Sequence, residues 1–170
     1  ALPSILLLAL AAPAGAANLP ATHSLYTGML ASAHHYDAGT GLDDALDLTA
    51  TVGFRFSDGI SVELAGGRST ARDDSGQDVD VDTTHLDALW HYARGERWQR
   101  YLVAGAGQQS LDATGTDHRS SFVTGGVGVF RSIGRPFLLR LEGRWLYDID
   151  EQQPGLRLSV GITAAFGGDR

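Results

Sequence analysis

From Leu46 to Phe56 every second residue is apolar: Leu46, Leu48, Ala50, Val52, Phe54 and Phe56. Between them lie Asp47, Thr49, Thr51, Gly53 and Arg55. Only an extended strand sorts such a pattern onto two faces, because successive side chains point to opposite sides. The pattern recurs along the chain. After the tight turn Ser57-Asp58-Gly59, Ile60, Val62 and Leu64 alternate with Ser61, Glu63 and Ala65. Thr84, Leu86, Ala88, Trp90 and Tyr92 oppose His85, Asp87, Leu89 and His91. Phe137, Leu139, Leu141, Gly143, Trp145 and Tyr147 oppose Leu138, Arg140, Glu142, Arg144 and Leu146. Leu156, Leu158, Val160, Ile162, Ala164 and Phe166 oppose Arg157, Ser159, Gly161, Thr163 and Ala165. Segments 23–34, 100–110 and 120–131 are also strand-like, with Gly105, Gly107, Gly125, Gly126 and Gly128 blurring their faces. Eight strands are predicted. Almost no helix is expected, since no stretch beyond residue 17 keeps a 3.6-residue period.

Composition removes several classes of function. The chain has no cysteine, which excludes disulfide scaffolds, thiolate metal sites and cysteine nucleophiles. Its 13 basic residues are all arginine and its 20 acidic residues leave a net charge of −7. With no basic cluster, nucleic acid is not an expected partner. A hydrophobic fraction of 43% is too high for disorder. Residues 1–17, ALPSILLLALAAPAGAA, read as a signal peptide with a truncated n-region. Ile5–Ala12 is its apolar stretch, and Ala14-Gly15-Ala16 fits cleavage before Ala17, with cleavage before Asn18 nearly as good. Residues 18–170 then form one domain.

The spacing of the strands points to a membrane barrel. Connections at 35–44, 70–81, 111–119 and 148–155 are expected to be long, polar outer loops, whereas 57–59, 94–99 and 132–136 are shorter. Long and short connections alternating between strands of about 10 residues match an outer-membrane barrel. The predicted fold is all-β: an eight-stranded antiparallel up-and-down transmembrane β-barrel with both termini in the periplasm. Lipid demands the closure, because each unpaired backbone group in hydrocarbon costs several kcal/mol. Aromatic residues near strand ends (Phe54 and Phe56, Trp90 and Tyr92, Trp145 and Tyr147, then Phe130, Phe137 and Phe166) suit interfacial girdles. A barrel of eight strands is just wide enough for side chains to fill it. Asp47, Arg55, Glu63, Asp87, Arg140, Glu142 and Arg144 fall on the polar face, so they are expected to form a lumenal ion-pair network. Such a network is either a permanent plug or a gate whose pairs exchange. A soluble exported β-domain is the alternative fold.

The last strand carries an assembly signal. Ser159-x-Gly161-x-x-Ala164-x-Phe166 resembles the C-terminal β-signal of outer-membrane proteins, with Ala164 smaller than the usual residue. Arg97-Trp98-x-x-Tyr101-Leu102-Val103-Ala104-Gly105-Ala106-Gly107 resembles the fifth strand of OmpA/OprF-like barrels. Leu139-Arg140-Leu141-Glu142-Gly143-Arg144-Trp145 with Tyr147-Asp148 resembles their seventh, and Leu158-Ser159-Val160-Gly161 through Phe166-Gly167 their eighth. The resemblance covers residues 22–168. It implies a Gram-negative outer-membrane protein that stabilises the envelope or forms a small pore, and whose β-signal is read by the barrel-assembly machinery. Outer-membrane lipid and lipopolysaccharide are the implied surroundings, a monomer the implied state, and surface adhesion through the loops a further implied role. Members often continue into a peptidoglycan-binding domain. This chain runs four residues past Phe166, so that domain is expected to be absent or removed.

Other constellations are weaker. His118-Arg119-Ser120 resembles the His-x-Ser pair of PagL-type lipid A deacylases, which makes a lipid-modifying hydrolase the rival function, with Asp117 or Glu142 as orienting acid. The Asn-rich continuation of that family is replaced by Ser121-Phe122-Val123, and no catalytic role is expected. Asp73, Asp74, Asp78, Asp80 and Asp82 lie in a stretch expected to be a mobile outer loop, whose carboxylates could meet lipopolysaccharide phosphates through divalent ions. His34 and His35 would point to opposite faces, and His85 and His91 would lie about 20 Å apart along one strand, so no metal or cofactor is expected.

Overall fold

A computed structural model describes residues 22–36, 45–72, 78–94, 97–113 and 116–167. The proposed leader, residues 1–17, lies outside them. Eight strands follow one another: β1 (Ser24–Tyr36), β2 (Ala45–Arg55), β3 (Ile60–Arg72), β4 (Asp78–Arg94), β5 (Trp98–Ala113), β6 (Thr116–Gly134), β7 (Phe137–Asp148) and β8 (Pro154–Gly167). Each pairs antiparallel with the next, and β8 returns to β1, so the sheet closes into a barrel. Among the described residues no helix is long and apolar enough to cross a membrane.

The alternation read from the sequence sorts the two faces. Val52, Leu64 and Leu86 stand side by side in register on the outside, each about half exposed. Glu63, Asp87, Arg140 and Arg144 point inward and are at most 1% exposed. The usual distribution is therefore inverted. Among the described residues 25 large apolar side chains are exposed, against 13 hydrophobic residues buried. So much contiguous apolar surface marks contact with something other than water. Phe54, Trp90, Trp98, Phe137 and Phe166 ring the end that carries the turn at 57–59, and Trp145 sits at the other.

Two expected loops are strand instead. The pattern Asp78-Val79-Asp80-Val81-Asp82 continues the period of two, with Val79 and Val81 buried. It pairs with β3 as Arg72↔Asp78, Thr70↔Asp80 and Arg68↔Asp82. The acidic composition suggested solvent, but the valines between the acids fix the segment to the sheet. Asp73 and Asp74 lie outside the described residues. Likewise 111–119 belongs largely to the β5–β6 hairpin, with Leu111 opposite His118 and Ser110 opposite Arg119.

The seam between β1 and β8 needs glycine at one point. A Cβ on Gly161 would lie 2.0 Å from the backbone oxygen of Met29 and 2.8 Å from Leu30 Cα. Backbone cannot yield as a side-chain tip can, so Gly161→Val is expected to open or shift the closing pair. Loss of the compact, heat-shifted gel band checks this.

Candidate functional site

The inward faces of four strands, β3, β4, β5 and β7, converge on one buried chain of charges. Arg140 on β7 donates from Nη1 to Glu63 Oε2 on β3 at 2.7 Å, spanning the lumen. Its Nη2 donates to Glu142 Oε2 at 2.7 Å, and its Nε to the Tyr101 hydroxyl at 2.8 Å. Tyr101 in turn donates to Glu142 Oε2 at 2.7 Å. Arg144, one turn of the pleat further along β7, donates from Nε to Glu142 Oε1 and from Nη1 to Asp87 Oδ2 on β4, the latter at 2.7 Å. Both arginines and all three acids are buried. Charges this far from water persist only when paired and hydrogen-bonded.

Aromatic side chains support the chain from the side of the 57–59 turn. Tyr101 and Phe130 pack with centroids 4.9 Å apart, and Leu89, Val103 and Leu138 complete a buried apolar cluster. The Arg140 guanidinium lies 5.3 Å from the Phe130 ring centre and 5.4 Å from that of Tyr101, within cation–π range. Phe130, expected in a girdle, is thus a core residue at 1% exposure. The glycines around it hid its phase: the inward series on β6 is Ser120, Phe122, Thr124, Gly126, Gly128, Phe130. Gly128 is bare because a Cβ there would lie 2.1 Å from Tyr101 Cζ, so the ring lies on backbone.

The structure groups Glu63, Asp87, Arg140, Glu142 and Arg144, and places Asp47 and Arg55 elsewhere. Asp47 accepts from Arg157 Nη1 at 3.4 Å and from Thr49 at 3.1 Å. Arg157 also reaches His85 Nε2 at 3.5 Å, and His85 lies 3.3 Å from Asp87 Oδ2. This second layer is held by longer contacts than the first. Arg157 and His85 were missed as partners, although both stand on the polar faces of alternating strands. Arg55 stands at the 57–59 end of the lumen, donating to Gln99 Oε1 at 2.7 Å, to the Ser57 carbonyl at 3.0 Å and to the Asp58 carbonyl.

The remaining candidates fall outside this centre. The Ser120 hydroxyl donates to Asp148 Oδ2 at 2.7 Å, and Asp148 also accepts from Gln109 and from the backbone of Asp150 and Glu151. That carboxylate orders the β7–β8 turn, and the His118 side chain lies outside the described residues. His91 bonds Ser61 at 2.7 Å. No cluster of three or more histidines and acids that could hold a metal occurs among the described residues. In the β-signal, Ser159 is buried beside Ser32 (Oγ to Oγ 2.8 Å), Gly161 lies on the seam, and Ala164 and Phe166 turn outward beside Thr27 and Leu25 of β1. The modest bulk of Ala164 leaves it only partly exposed between its neighbours.

Known proteins share this architecture. The N-terminal barrel of OprF from Pseudomonas aeruginosa is 18% identical, over 85% of this chain and 98% of that one, with a TM-score of 0.62. Neisserial surface protein A is 17% identical, over 90% of this chain and 100% of that one, with a TM-score of 0.64. Ail of Yersinia pestis is 12% identical, over 87% and 100%, with a TM-score of 0.57. At such identities the likeness establishes the fold. The outer membrane protein beta-barrel domain model matches residues 2–168. A closed barrel with an apolar outside and a polar inside is the form that a chain takes in lipid, and with the family match across nearly all of its length this chain belongs to the outer membrane protein beta-barrel domain family.

Proposed function

We propose that the chain is a structural barrel of the Gram-negative outer membrane, a monomer whose filled lumen seals it against ions and solutes while it reinforces the envelope. One observation carries the reading. The Glu63–Arg140–Glu142–Arg144–Asp87 chain crosses the lumen from β7 to β3 and β4 with every member buried. Opening a solute path would separate charges that have no water to receive them. In this reading the outward face meets acyl chains and lipopolysaccharide, the short 57–59 turn and both termini face the periplasm, and the assembly machinery reads β8 during insertion. The aromatic ends of the strands and the match of the β8 motif support that placement.

Planar-bilayer recording tests the seal. The purified protein is expected to give no stepwise ionic current, and a strain lacking it is expected to admit more detergent and bulky antibiotic, with wild-type protein restoring the barrier. Steady single-channel steps would sink the sealed-barrel reading. They would favour the gate instead, for which one observation speaks: Glu63 Oε1 and Asp87 Oδ1 are unpartnered, so each acid has a vacant acceptor for an exchanging arginine. A gate requires charge reversal at Glu142 to change the conductance.

A further inference from the structure

The two halves of the lumen differ. The wall from β4 to β7 contributes large side chains, among them Tyr101, Phe122, Phe130, Arg140 and Arg144. The wall formed by β8, β1 and β2 sets glycine and small hydroxyls among Tyr26, Leu30, Asp47, Arg55 and Arg157. Gly28 on β1 stands in register with Thr51 on β2 and Thr163 on β8. Both threonine hydroxyls are buried without a hydrogen-bond partner. Both also converge on the space over Gly28, where an added Cβ would lie 2.8 Å from Thr163 Oγ1 and 3.0 Å from Thr51 Oγ1. The Tyr26 hydroxyl, two residues nearer the 57–59 turn, is likewise buried, with Glu63 Oε1 beside it. Two residues beyond Leu30 in the other direction, Ser32 pairs with Ser159, and Asp47 Oδ1 next to them is unpartnered.

Buried polar atoms without protein partners are bonded by water, and hydroxyls can both donate and accept. Along β1 the Tyr26 and Gly28 levels are one step of two strand residues apart, and the Ser32 level lies two steps beyond Gly28, past buried Leu30 and its register partner Thr49. Each step is roughly 6.6 Å, which about two hydrogen-bonded waters span. At the mouth, a cavity of about 50 Å³ lies between His34 and Gly155 on this side and Gln109, Leu111, Phe122 and Leu146 on the facing wall, with room for water.

We infer that the Tyr26, Thr51 and Thr163 hydroxyls and the bare floor at Gly28 hold a file of water along the β8–β1–β2 wall, which carries water and protons past the ion-pair chain and excludes hydrated ions. Protons pass by exchange of hydrogen bonds along the file, with no net change in any residue. The buried charged side chains favour protons over anions: Asp47, Glu63, Asp87, Glu142 and Asp148 against Arg55, Arg140, Arg144 and Arg157 give 4 − 5 = −1. The inference rests on the sealed-lumen reading for its exclusion of ions.

The full chain reconstituted in liposomes tests it with three readouts: osmotic shrinkage for water, an entrapped pH dye for protons, and an entrapped potassium dye. Water and proton fluxes are expected above the protein-free level, with potassium flux at that level. Thr51→Val with Thr163→Val keeps the side-chain volumes, and is expected to return both water and proton flux to the protein-free level. Gly28→Val is expected to do the same where its heat-shifted band shows a folded barrel. Thr124→Val removes an equally unpartnered buried hydroxyl from the opposite wall on β6, and is expected to leave both fluxes unchanged. Wild-type water and proton fluxes at the protein-free level, or unchanged fluxes in the double variant, would overturn the file alone. Potassium flux in the wild type would overturn the seal, and with it the exclusion of ions claimed here.

Discussion

Glu142→Ala is expected to destabilise the folded barrel by roughly 3–5 kcal/mol, the cost of leaving a buried charge without its partner. The size follows from its position. Glu142 is the one acid that meets both central arginines, through Oε2 to Arg140 and Oε1 to Arg144, and it also accepts a hydrogen bond from the Tyr101 hydroxyl. Removing it leaves two guanidinium groups, each keeping a single acid across the lumen, Glu63 or Asp87. Asp47→Asn is the comparison. Its contact with Arg157 is 3.4 Å against 2.7 Å for Arg140 with Glu63, so its cost is expected nearer the 1–3 kcal/mol of one lost polar partner. Urea unfolding of both variants in lipid vesicles, followed by tryptophan emission, checks the order. Equal costs would mean that the two layers are held alike.

The double acceptor role of Glu142 also explains which parts of the site could be read in advance. Alternation fixes which residues share the lumenal face, because strand side chains repeat with a period of two. Arg140, Glu142 and Arg144 lie on one strand and announce themselves as neighbours. Their partners lie 57 and 77 residues away, at Asp87 and Glu63, and only register and barrel curvature bring them across. Neither is written in a local pattern. The same limit separates Asp47 from the central chain and gives it to Arg157 on β8, a strand that is distant in sequence and one removed across β1.

Phe130 shows a second limit. A strand whose faces carry glycine in both phases has no apolar contrast from which to read its orientation, and Gly125, Gly126 and Gly128 occupy both. The glycine at 128 is a consequence of Tyr101 on the neighbouring strand, whose ring needs the space. The β3–β4 extension fails for the opposite reason. There the period of two was intact, but Asp78, Asp80 and Asp82 made the polar face so acidic that composition overrode pattern. The outward pair Arg68–Asp82, bonded through Nε and Nη2 at 2.7 and 2.9 Å, is what such a strand offers beyond the apolar belt.

The belt itself is open to a direct trial. Leu64→Arg is expected to cost about 2–4 kcal/mol, as a cation on the lipid face near the midplane does. Leu64 stands between Val52 and Leu86 in the cross-strand row, four residues from the start of β3 and eight from its end. Ile149, exposed in the β7–β8 turn, supplies the control: Ile149→Arg is expected to cost about 0–1 kcal/mol, as at the interface. If water rather than lipid bathed the outer face, Leu64→Arg would fall within roughly ±0.5 kcal/mol of wild type, as exposed substitutions do. The two arginines would then be indistinguishable in urea unfolding. A large cost at 64 with a small one at 149 is a depth profile, which only a bilayer around the barrel produces.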